Sequence, residues 1–415
     1  MTDRHEHECR HCKAKLDLVL ADLGSTPISN DLLKPNAVLG GEPYYPLRVF
    51  VCRECRLAQL QDFFQSSDLF REDYTYFSSF STSWLAHAKR YAAEMTERFS
   101  LNENSQVVEI ASNDGYLLQY FKDSGINVLG VEPSQSVADV AINERGVETI
   151  IEFFGEETAR RMVERSGHAD LIAANNVFAH VPDINDFAKG FSVLLKPGGV
   201  ATFEFPHLLN LIELGQFDTI YHEHFSYLSL LAAERILAAA QLRVFDVQEL
   251  STHGGSLRLL VCHLSDTRTD APGLAAVRKR ESDARLDDDD VYQSFAESVR
   301  KRKLDLLTLL LDLKRKGKTI VGYGAPAKGN TLLNYCGVGR DILEFTTDCS
   351  PHKQGLFLPG TRIEIRAPDA IEETKPDYVL ILPWNLKDEI ISQMEHVRSW
   401  GGKFIVPIPT ATIID

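Results

Sequence analysis

The stretch QVVEIASNDGYLLQYFKDSGINVLGVEPS, residues 106–134, decides the fold of this chain. It predicts a buried strand, a tight turn, a helix and a second buried strand. Similar strands follow at 169–176 and 199–206, and none of them alternates polar with apolar residues. Such strands lie in parallel sheets that helices cover on both faces. Residues 242–264 add two antiparallel strands at the edge. The sequence therefore predicts an α/β, Rossmann-like domain.

Polar side chains lie at the carboxyl ends of two neighbouring strands of this sheet, with Glu109 at the end of the first strand and Glu132 at the end of the second. Ligands bind beyond the carboxyl ends of such strands, where a carboxylate suits the hydroxyls of a ribose. The turn ASNDGY lacks the Gly-x-Gly-x-x-Gly of dinucleotide sites, and its acidic groups would repel a pyrophosphate. S-adenosylmethionine, which carries a sulfonium and an ammonium, is therefore favoured. The candidate cofactor-binding residues are Glu109, Ala111, Asn113, Asp114, Gly115, Glu132, Pro133 and Asn175.

A second α/β unit begins near residue 317. Its segment KTIVGYGAPAKGNTLLNYC, residues 318–336, predicts a strand, a glycine-rich turn and a helix. Backbone amides and Lys328 at the start of that helix would form an anion site. The spacing matches neither a Walker motif nor a dinucleotide fingerprint, and glycines needed only for packing are the alternative. The candidate substrate-binding residues are Asn176, His180, Arg300, Tyr323, Lys328 and Asn330.

Two Cys-x-x-Cys pairs stand near the start of the chain, CRHC at 9–12 and CREC at 52–55. Two such turns complete a tetrahedral four-sulfur zinc site, which has no open position and is therefore structural. Two unrelated thiol pairs are the alternative. The proposed metal ligands are Cys9, Cys12, Cys52 and Cys55, and the remaining cysteines, Cys262, Cys336 and Cys349, are isolated and expected to be buried.

The segment YHEHFSYLSL, residues 221–230, concentrates titratable groups. It indicates either a metal site or an acid–base site. On a strand, His222 and His224 would share one face and could bind a metal, but Glu223 would point away and no third ligand is evident. We interpret the segment as an acid–base site, in which His222 is expected to be structural.

The composition limits the classes of function. The chain has 415 residues and a net charge of −15, which predicts several domains and disfavours nucleic acid as a partner. Its polar start and the lack of a long apolar run predict a cytoplasmic protein without membrane spans. The acidic run at 287–290 is expected to be a solvated face of one or two connecting helices.

Seven motifs occur in an order that resembles a known family. These are the cysteine pairs, DYTYFSSFSTSW (73–84), EIASNDGYLL (109–118), GVEPS (130–134), YHEHFSYLSL (221–230), HGGSLR (253–258) and GYGAPAKGNT (322–331). The chain resembles the nucleotide-deoxysugar C-methyltransferases, which use S-adenosylmethionine to methylate carbon 3 of dTDP-4-keto sugars. The resemblance implies a class I methyltransferase domain between a zinc module and a C-terminal domain that binds the dTDP group.

The same resemblance implies roles for individual residues. It makes His224 the catalytic base, with Tyr221, Glu223 and Tyr76 beside it in the active site. It also implies that Asn176, His180, Lys328 and Asn330 face the nucleotide sugar. Chemically, a histidine can remove the proton next to a ketone, and phenol hydroxyls can donate to the enolate oxygen. No metal is required for these steps.

Other functions remain open at this stage. They are methylation at nitrogen or oxygen of a nucleotide sugar, a nucleotide-sugar oxidoreductase, and a zinc-scaffolded binding module. We expect a monomer. The predicted organisation is a zinc module at 1–75, a methyltransferase domain at 76–270, connecting helices at 271–316 and a nucleotide-sugar-binding domain at 317–415.

Overall fold

Three sheets follow one another along the chain in a computed structural model that describes residues 7–61 and 77–415. The first sheet has four strands, three of which come from the N-terminal segment. Its fourth strand, Ser226–Tyr227, belongs to the segment 221–230 and pairs antiparallel with the third. The N-terminal strands are β1 (Leu18–Thr26), β2 (Tyr45–Val51) and β3 (Ala58–Leu60).

The second sheet has seven strands and carries the predicted cofactor site. Five of its strands are parallel, and two antiparallel strands complete one edge, as the sequence predicts. Along this part of the chain, which also contains β9 of the first sheet, the elements are α1 (Thr82–Phe99), β4 (Gln106–Ile110), α2 (Leu118–Asp123), β5 (Asn127–Val131), α3 (Gln135–Asn143), β6 (Thr149–Ile150), α4 (Glu156–Ser166), β7 (Ala169–Asn175), α5 (Ile184–Leu194), β8 (Leu195–Pro206), α6 (Leu208–Leu214), β9 (Ser226–Tyr227), α7 (Leu230–Ala239), β10 (Leu242–Leu250) and β11 (Ser256–His263). The order of the seven strands in the second sheet is β10-β11-β8-β7-β4-β5-β6.

Two helices, α8 (Pro272–Asp283) and α9 (Asp289–Arg315), connect the second sheet to the third. The acidic run at the start of α9 is not simply a solvated face, contrary to expectation. Asp288 caps the helix by accepting from the Asp290 amide, and Asp289 accepts from Arg56 Nη1 at 2.6 Å. Carboxylates are favoured at a helix N-terminus because they complement its free amides and dipole. The run therefore ties α9 to the N-terminal module.

The third sheet has six strands, and its last strand is antiparallel to the others. Together with the second sheet it confirms the predicted pair of α/β domains. Among the residues described, we find no helix that is both long and apolar enough for a membrane span. The C-terminal elements are β12 (Ile320–Tyr323), α10 (Ala327–Cys336), β13 (Thr346–Thr347), β14 (Ile365–Arg366), α11 (Asp369–Thr374), β15 (Tyr378–Ile381), α12 (Lys387–Gln393), β16 (Lys403–Val406) and β17 (Thr412–Ile414).

The N-terminal sheet packs against both α/β domains. Buried Leu20 and Leu47 share a core with Leu332 of α10. Phe50 belongs instead to the core that contains Phe205 of the methyltransferase sheet. Burial of large apolar side chains is the main favourable term in such contacts. The small N-terminal module therefore joins the two larger domains.

Packing explains the glycines of the turn that follows β12. A Cβ at Gly322 would lie 2.6 Å from Thr346 Oγ1, and one at Gly329 would lie 2.8 Å from Leu382 Cβ. Gly324 has a φ of +88° and abuts Pro383. Its amide donates to the Thr347 carbonyl oxygen, and the Ala325 amide donates to Asp348. The loop amides are thus already paired, and an anion site here is limited to the first turn of α10.

Replacing Gly322 by alanine tests this packing requirement. We expect the free energy of unfolding to fall by about 1–3 kcal/mol, because the added methyl group overpacks the strand against Thr346. Gly41 is the matched control, since a Cβ there meets nothing within 4 Å. Chemical denaturation of Gly322→Ala and Gly41→Ala measures both. Equal stability of the two variants would contradict the packing argument.

Candidate active site

One cavity of about 570 Å³ brings together residues from all three parts of the chain. Its volume is in the range of small-molecule sites. The N-terminal module contributes Asn30, the methyltransferase domain contributes Glu132 and His224, and α10 contributes Lys328. The other predicted residues in its lining are Ala111, Asn113, Pro133, Asn175, Asn176, His180, Tyr221 and Glu223.

Glu132 lines the cavity directly after β5. Its two carboxylate oxygens accept from the amides of Asn113 at 3.0 Å and Ser134 at 2.9 Å. These bonds hold the turn after β4 against the end of β5, where Ala111 and Asn113 have left-handed φ values of 58° and 48°. Burial raises the pKa of Glu132, and the two amides oppose that rise. The carboxylate is therefore fixed in place at the end of the second strand.

Three predicted cofactor residues shape this turn and do not line the cavity. Glu109 is fully buried beneath it, and burial raises the pKa of its carboxyl well above the usual range. Asp114 accepts from Ser79 Oγ. Gly115 has a φ of +76°, and a Cβ there would lie 3.3 Å from Ala141 Cβ. The motif thus marks the site, while only part of it faces the cavity.

His224 has the geometry of a general base. Its Nδ1 lies 2.9 Å from the carbonyl oxygen of Thr219. A carbonyl oxygen only accepts, so Nδ1 carries the proton and the lone pair is on Nε2. Burial, followed by the neighbouring His180, holds the pKa of His224 well below its usual range. The imidazole is therefore neutral at pH 7 and able to take a proton.

Other titratable rings surround His224. The Tyr221 ring lies 4.0 Å from it and the His180 ring 4.7 Å, measured between centroids. Burial lowers the pKa of His180 to about 4. Glu223 accepts from Asn30 Nδ2 at 2.6 Å, and burial raises its pKa to about 7. Near neutral pH, Glu223 is therefore present in both its protonated and ionised forms.

His222 lies apart from this cluster. It is buried, its Nε2 is 3.3 Å from the carbonyl oxygen of Pro46, and it does not line the cavity. Within residues 7–61 and 77–415, the cysteines form the one group with the geometry of a metal site. The metal interpretation of His222 and His224 is thus not supported.

Lys328 brings a cation from the C-terminal domain to the lining of the cavity. Its Nζ donates to Asn385 Oδ1 at 2.7 Å and lies 5.0 Å above the Trp384 ring centroid. It shares the cavity wall with Pro326 and Ala327, at the N-terminus of α10. Free amides of a first helical turn and a lysine together favour an anion.

The remaining predicted substrate and catalytic residues are placed differently. Asn330 and Tyr323 are buried and do not line the cavity. Arg300 is exposed on α9 and lies outside the cavity lining. Tyr76 lies outside the described residues.

Comparison with known proteins decides the family. Family models match in succession: a zinc binding domain over residues 9–70, a methyltransferase domain over 84–247 and a C-methyltransferase C-terminal domain over 251–409. The C-methyltransferase NovU of Streptomyces niveus is 38% identical over 407 residues, which cover 98% of this chain and 96% of NovU. The chain belongs to the C-methyltransferase family. This C-methyltransferase is an S-adenosylmethionine-dependent transferase.

Solved structures give more distant likenesses to the C-methyltransferase. An S-adenosylmethionine-dependent methyltransferase from Anabaena variabilis is 15% identical, covers 43% of this chain and 86% of its own, and has a TM-score of 0.35. One from Clostridium acetobutylicum is 16% identical, covers 47% and 94%, and has the same TM-score of 0.35. These likenesses are too distant to support an inference about the site.

The C-methyltransferase has side chains that fit its cofactor. Glu132 and Asn175 both line the cavity, and Asn175 Oδ1 is a buried acceptor that has no hydrogen-bond partner among the described residues. Such acceptors suit the ribose hydroxyls and the ammonium of S-adenosylmethionine. When bound, S-adenosylmethionine supplies the methyl group as an electrophile.

Cys9, Cys12, Cys52 and Cys55 form the zinc site of the C-methyltransferase. The ligand atoms of all four lie within 4.8 Å of one another. The two turns are alike, because the Lys13 amide donates to the Cys9 carbonyl oxygen and the Arg56 amide donates to that of Cys52. Cys349 is exposed, contrary to expectation, and is remote in sequence from this set.

The zinc module supports the segment that carries His224. The Leu60 amide donates to the Phe225 carbonyl oxygen at 3.0 Å, beside His224. Arg10, between the first two zinc ligands, donates to the carbonyl oxygens of Leu60 at 2.9 Å and Pro182 at 3.1 Å. The zinc module therefore bonds to Pro182, which lines the cavity, and to Phe225, which follows the lining residue His224.

Several residues in the cavity lining were not predicted as site residues from the sequence. Asn30, Trp84, Thr219 and His253 lie in it, and His253 lies in the quoted motif HGGSLR with a left-handed φ of 53°. A non-glycine residue in this conformation is uncommon and marks a strained turn. The motif could have suggested His253, whereas the sequence around Asn30 carries no comparable pattern.

Loss of one zinc ligand tests the support that the module provides. We expect Cys52→Ser to lower both the zinc content and the melting temperature, because structural zinc contributes directly to folding free energy. Methyl transfer should be lost with it. Metal analysis and thermal denaturation measure the change, with Cys349→Ser as the matched control. A zinc-free Cys52→Ser protein with the control's stability would contradict a structural zinc.

Proposed function

We propose that this enzyme methylates carbon 3 of a dTDP-4-keto deoxysugar through an enolate. The observation that carries the proposal is the bond from His224 Nδ1 to the Thr219 carbonyl oxygen, which leaves the Nε2 lone pair free. Glu132, at the cofactor end, lines the same cavity as His224. A carbon atom becomes a nucleophile for methyl transfer only after it loses a proton, so a C-methyltransferase needs such a base.

The chemistry follows in two steps. His224 Nε2 takes the proton from carbon 3, and the electrons of the C–H bond form the enolate, whose charge lies largely on the carbonyl oxygen. The enolate carbon then forms a bond to the methyl group, while the carbon–sulfur bond of the sulfonium breaks and leaves a neutral thioether. The product is a ketone with a new carbon–carbon bond.

The enolate oxygen needs donors in the same cavity. Tyr221 lies beside His224 and presents a phenol. Protonated Glu223 is a second donor, since its pKa of about 7 keeps part of it neutral. Preorganised donors aimed at a developing oxyanion stabilise the transition state strongly. Tyr76 remains a predicted third member of this group.

The nucleotide end of the substrate requires an anion site. Lys328 and the first turn of α10, which line the same cavity as Glu132, would supply it. The amides of Gly324 and Ala325 are already paired, which weakens the case for a dinucleotide in the C-terminal domain and hence for an oxidoreductase. Asn330 is kept as a proposed contact through its position in α10, and the proposal makes no use of Arg300.

Replacing His224 tests the base. We expect His224→Ala to lower kcat for methylation of dTDP-4-keto sugars by about 100-fold or more, because a positioned base contributes about 10²–10⁴-fold. The wild type should also exchange the carbon 3 proton with D₂O, and the variant should not. Proton NMR measures the exchange and the site of methylation.

Controls separate the role of His224 from a general effect of histidine loss. His168 is exposed and outside the cavity, so His168→Ala should retain normal exchange and turnover. Normal exchange in His224→Ala would remove the base assignment. A methyl group found on nitrogen or oxygen would remove carbon methylation of the sugar.

A second substitution tests the anion site. We expect Lys328→Met to raise KM for the dTDP sugar by about 10-fold or more, because a charge-assisted hydrogen bond contributes about 1.5–3 kcal/mol. KM for S-adenosylmethionine should change little. Lys318→Met is the control, since Lys318 pairs with Asp377 away from the cavity. Steady-state kinetics in which both variants keep the wild-type KM would contradict the site.

A further inference from the structure

The turn Phe217–Thr219 connects the base to the C-terminal domain. Asp218 in this turn is fully buried, and its Oδ2 accepts from the indole Nε1 of Trp384 at 2.6 Å. Its other oxygen has no hydrogen-bond partner among the described residues. Neither residue lines the cavity. The contact therefore lies behind the active site, between residues 166 positions apart.

The next peptide in the chain holds the base. The carbonyl oxygen of Thr219 accepts from His224 Nδ1 at 2.9 Å, and that of Ile220 accepts from Thr331 Oγ1 at 3.0 Å. The C-terminal domain therefore bonds to Asp218 and Ile220, the residues on either side of Thr219. A shift of this turn would move the acceptor that sets the tautomer and orientation of the imidazole.

A buried carboxylate is costly unless a charge or a donor compensates it. Burial raises the pKa of Asp218 to about 6, and Lys328 and the Trp384 indole oppose the rise. Lys328 in turn lies 5.0 Å above the Trp384 ring. A purely packing role would be met by an apolar residue, whereas here an acid occupies the position adjoining Thr219.

We propose that Asp218 and Trp384 are positioning residues that orient the base His224 through the Thr219 carbonyl. The proposal rests on the proposed function only in taking His224 as the base. Asp218 touches neither reactants nor cofactor, so its effect reaches the reaction through one peptide group. The short bond between Asp218 and Trp384 fixes that group relative to the domain that carries Lys328.

The test compares two substitutions at residue 218 in the full-length, zinc-loaded enzyme. Asp218→Leu removes the acceptor and retains the branching at Cγ, while Asp218→Asn retains an acceptor for the indole N–H. We expect Asp218→Leu to lower kcat by about 10- to 100-fold, as a misplaced catalytic group does, with KM for the sugar changed less than about threefold. Asp218→Asn should restore most of the turnover.

Nitrogen-15 NMR of the histidine rings supplies a readout that does not need the sugar. In the wild type, the His224 ring, assigned by its loss in His224→Gln, should show a fixed Nδ1–H tautomer. Asp218→Leu should show a mixture of tautomers, and Asp218→Asn should not. A fixed Nδ1–H tautomer in Asp218→Leu would overturn the proposal, whatever the enzyme methylates.

Trp384→Phe provides a second route if Asp218→Leu does not fold. It removes the same hydrogen bond, and we expect the same mixture of tautomers. Trp400→Phe is the matched control, because Trp400 Nε1 donates to the Pro376 carbonyl oxygen at 3.0 Å in the same domain. A wild-type His224 signal in Trp384→Phe would overturn the proposal. Failure of wild-type sugar methylation with the expected NMR result would instead refute only the proposed substrate.

Discussion

The hydrogen bond from His224 Nδ1 to the Thr219 carbonyl oxygen is the constraint on which the active site depends. It places the lone pair on Nε2, and burial keeps the ring neutral. A histidine without such a partner would exchange between tautomers and lose part of its base form. The rest of the architecture can be understood as the means of holding this short loop in place.

The loop is held from two sides by domains that are distant in sequence. On one side, strand β9 completes the N-terminal sheet, and Asn30 donates to Glu223. On the other, Thr331 and Trp384 of the C-terminal domain bond to residues 218–220. The zinc module therefore does more than stabilise itself, since it holds one side of the loop that contains His224. The methyltransferase sheet carries the predicted cofactor residues, while the two flanking parts hold the loop that contains His224.

Local patterns predicted much of the fold. The alternation of buried strands and helices around residues 106–134 follows from short-range hydrophobic periodicity, and the cysteine spacing from the geometry of one turn. The same reasoning went wrong for the acidic run at 287–290, where Asp289 binds Arg56 in another domain. It also treated the glycines of the turn after β12 as part of an anion site, whereas packing against Thr346, Pro383 and Leu382 requires them. Both errors concern partners that come from far away in the chain.

The sequence by itself determined the class of fold and the cysteine cluster of the zinc site, and it predicted the cofactor strand ends and the segment that contains the proposed base. These features depend on residue types at fixed local spacings, which one strand, turn or helix is enough to express. Only the tertiary structure decided which side chains share the cavity. It separated His222, bonded to Pro46, from His224, and it brought Asn30 and Lys328 to the same site. Burial and charge pairing depend on contacts between distant segments, and those contacts exist only once the three domains have packed together.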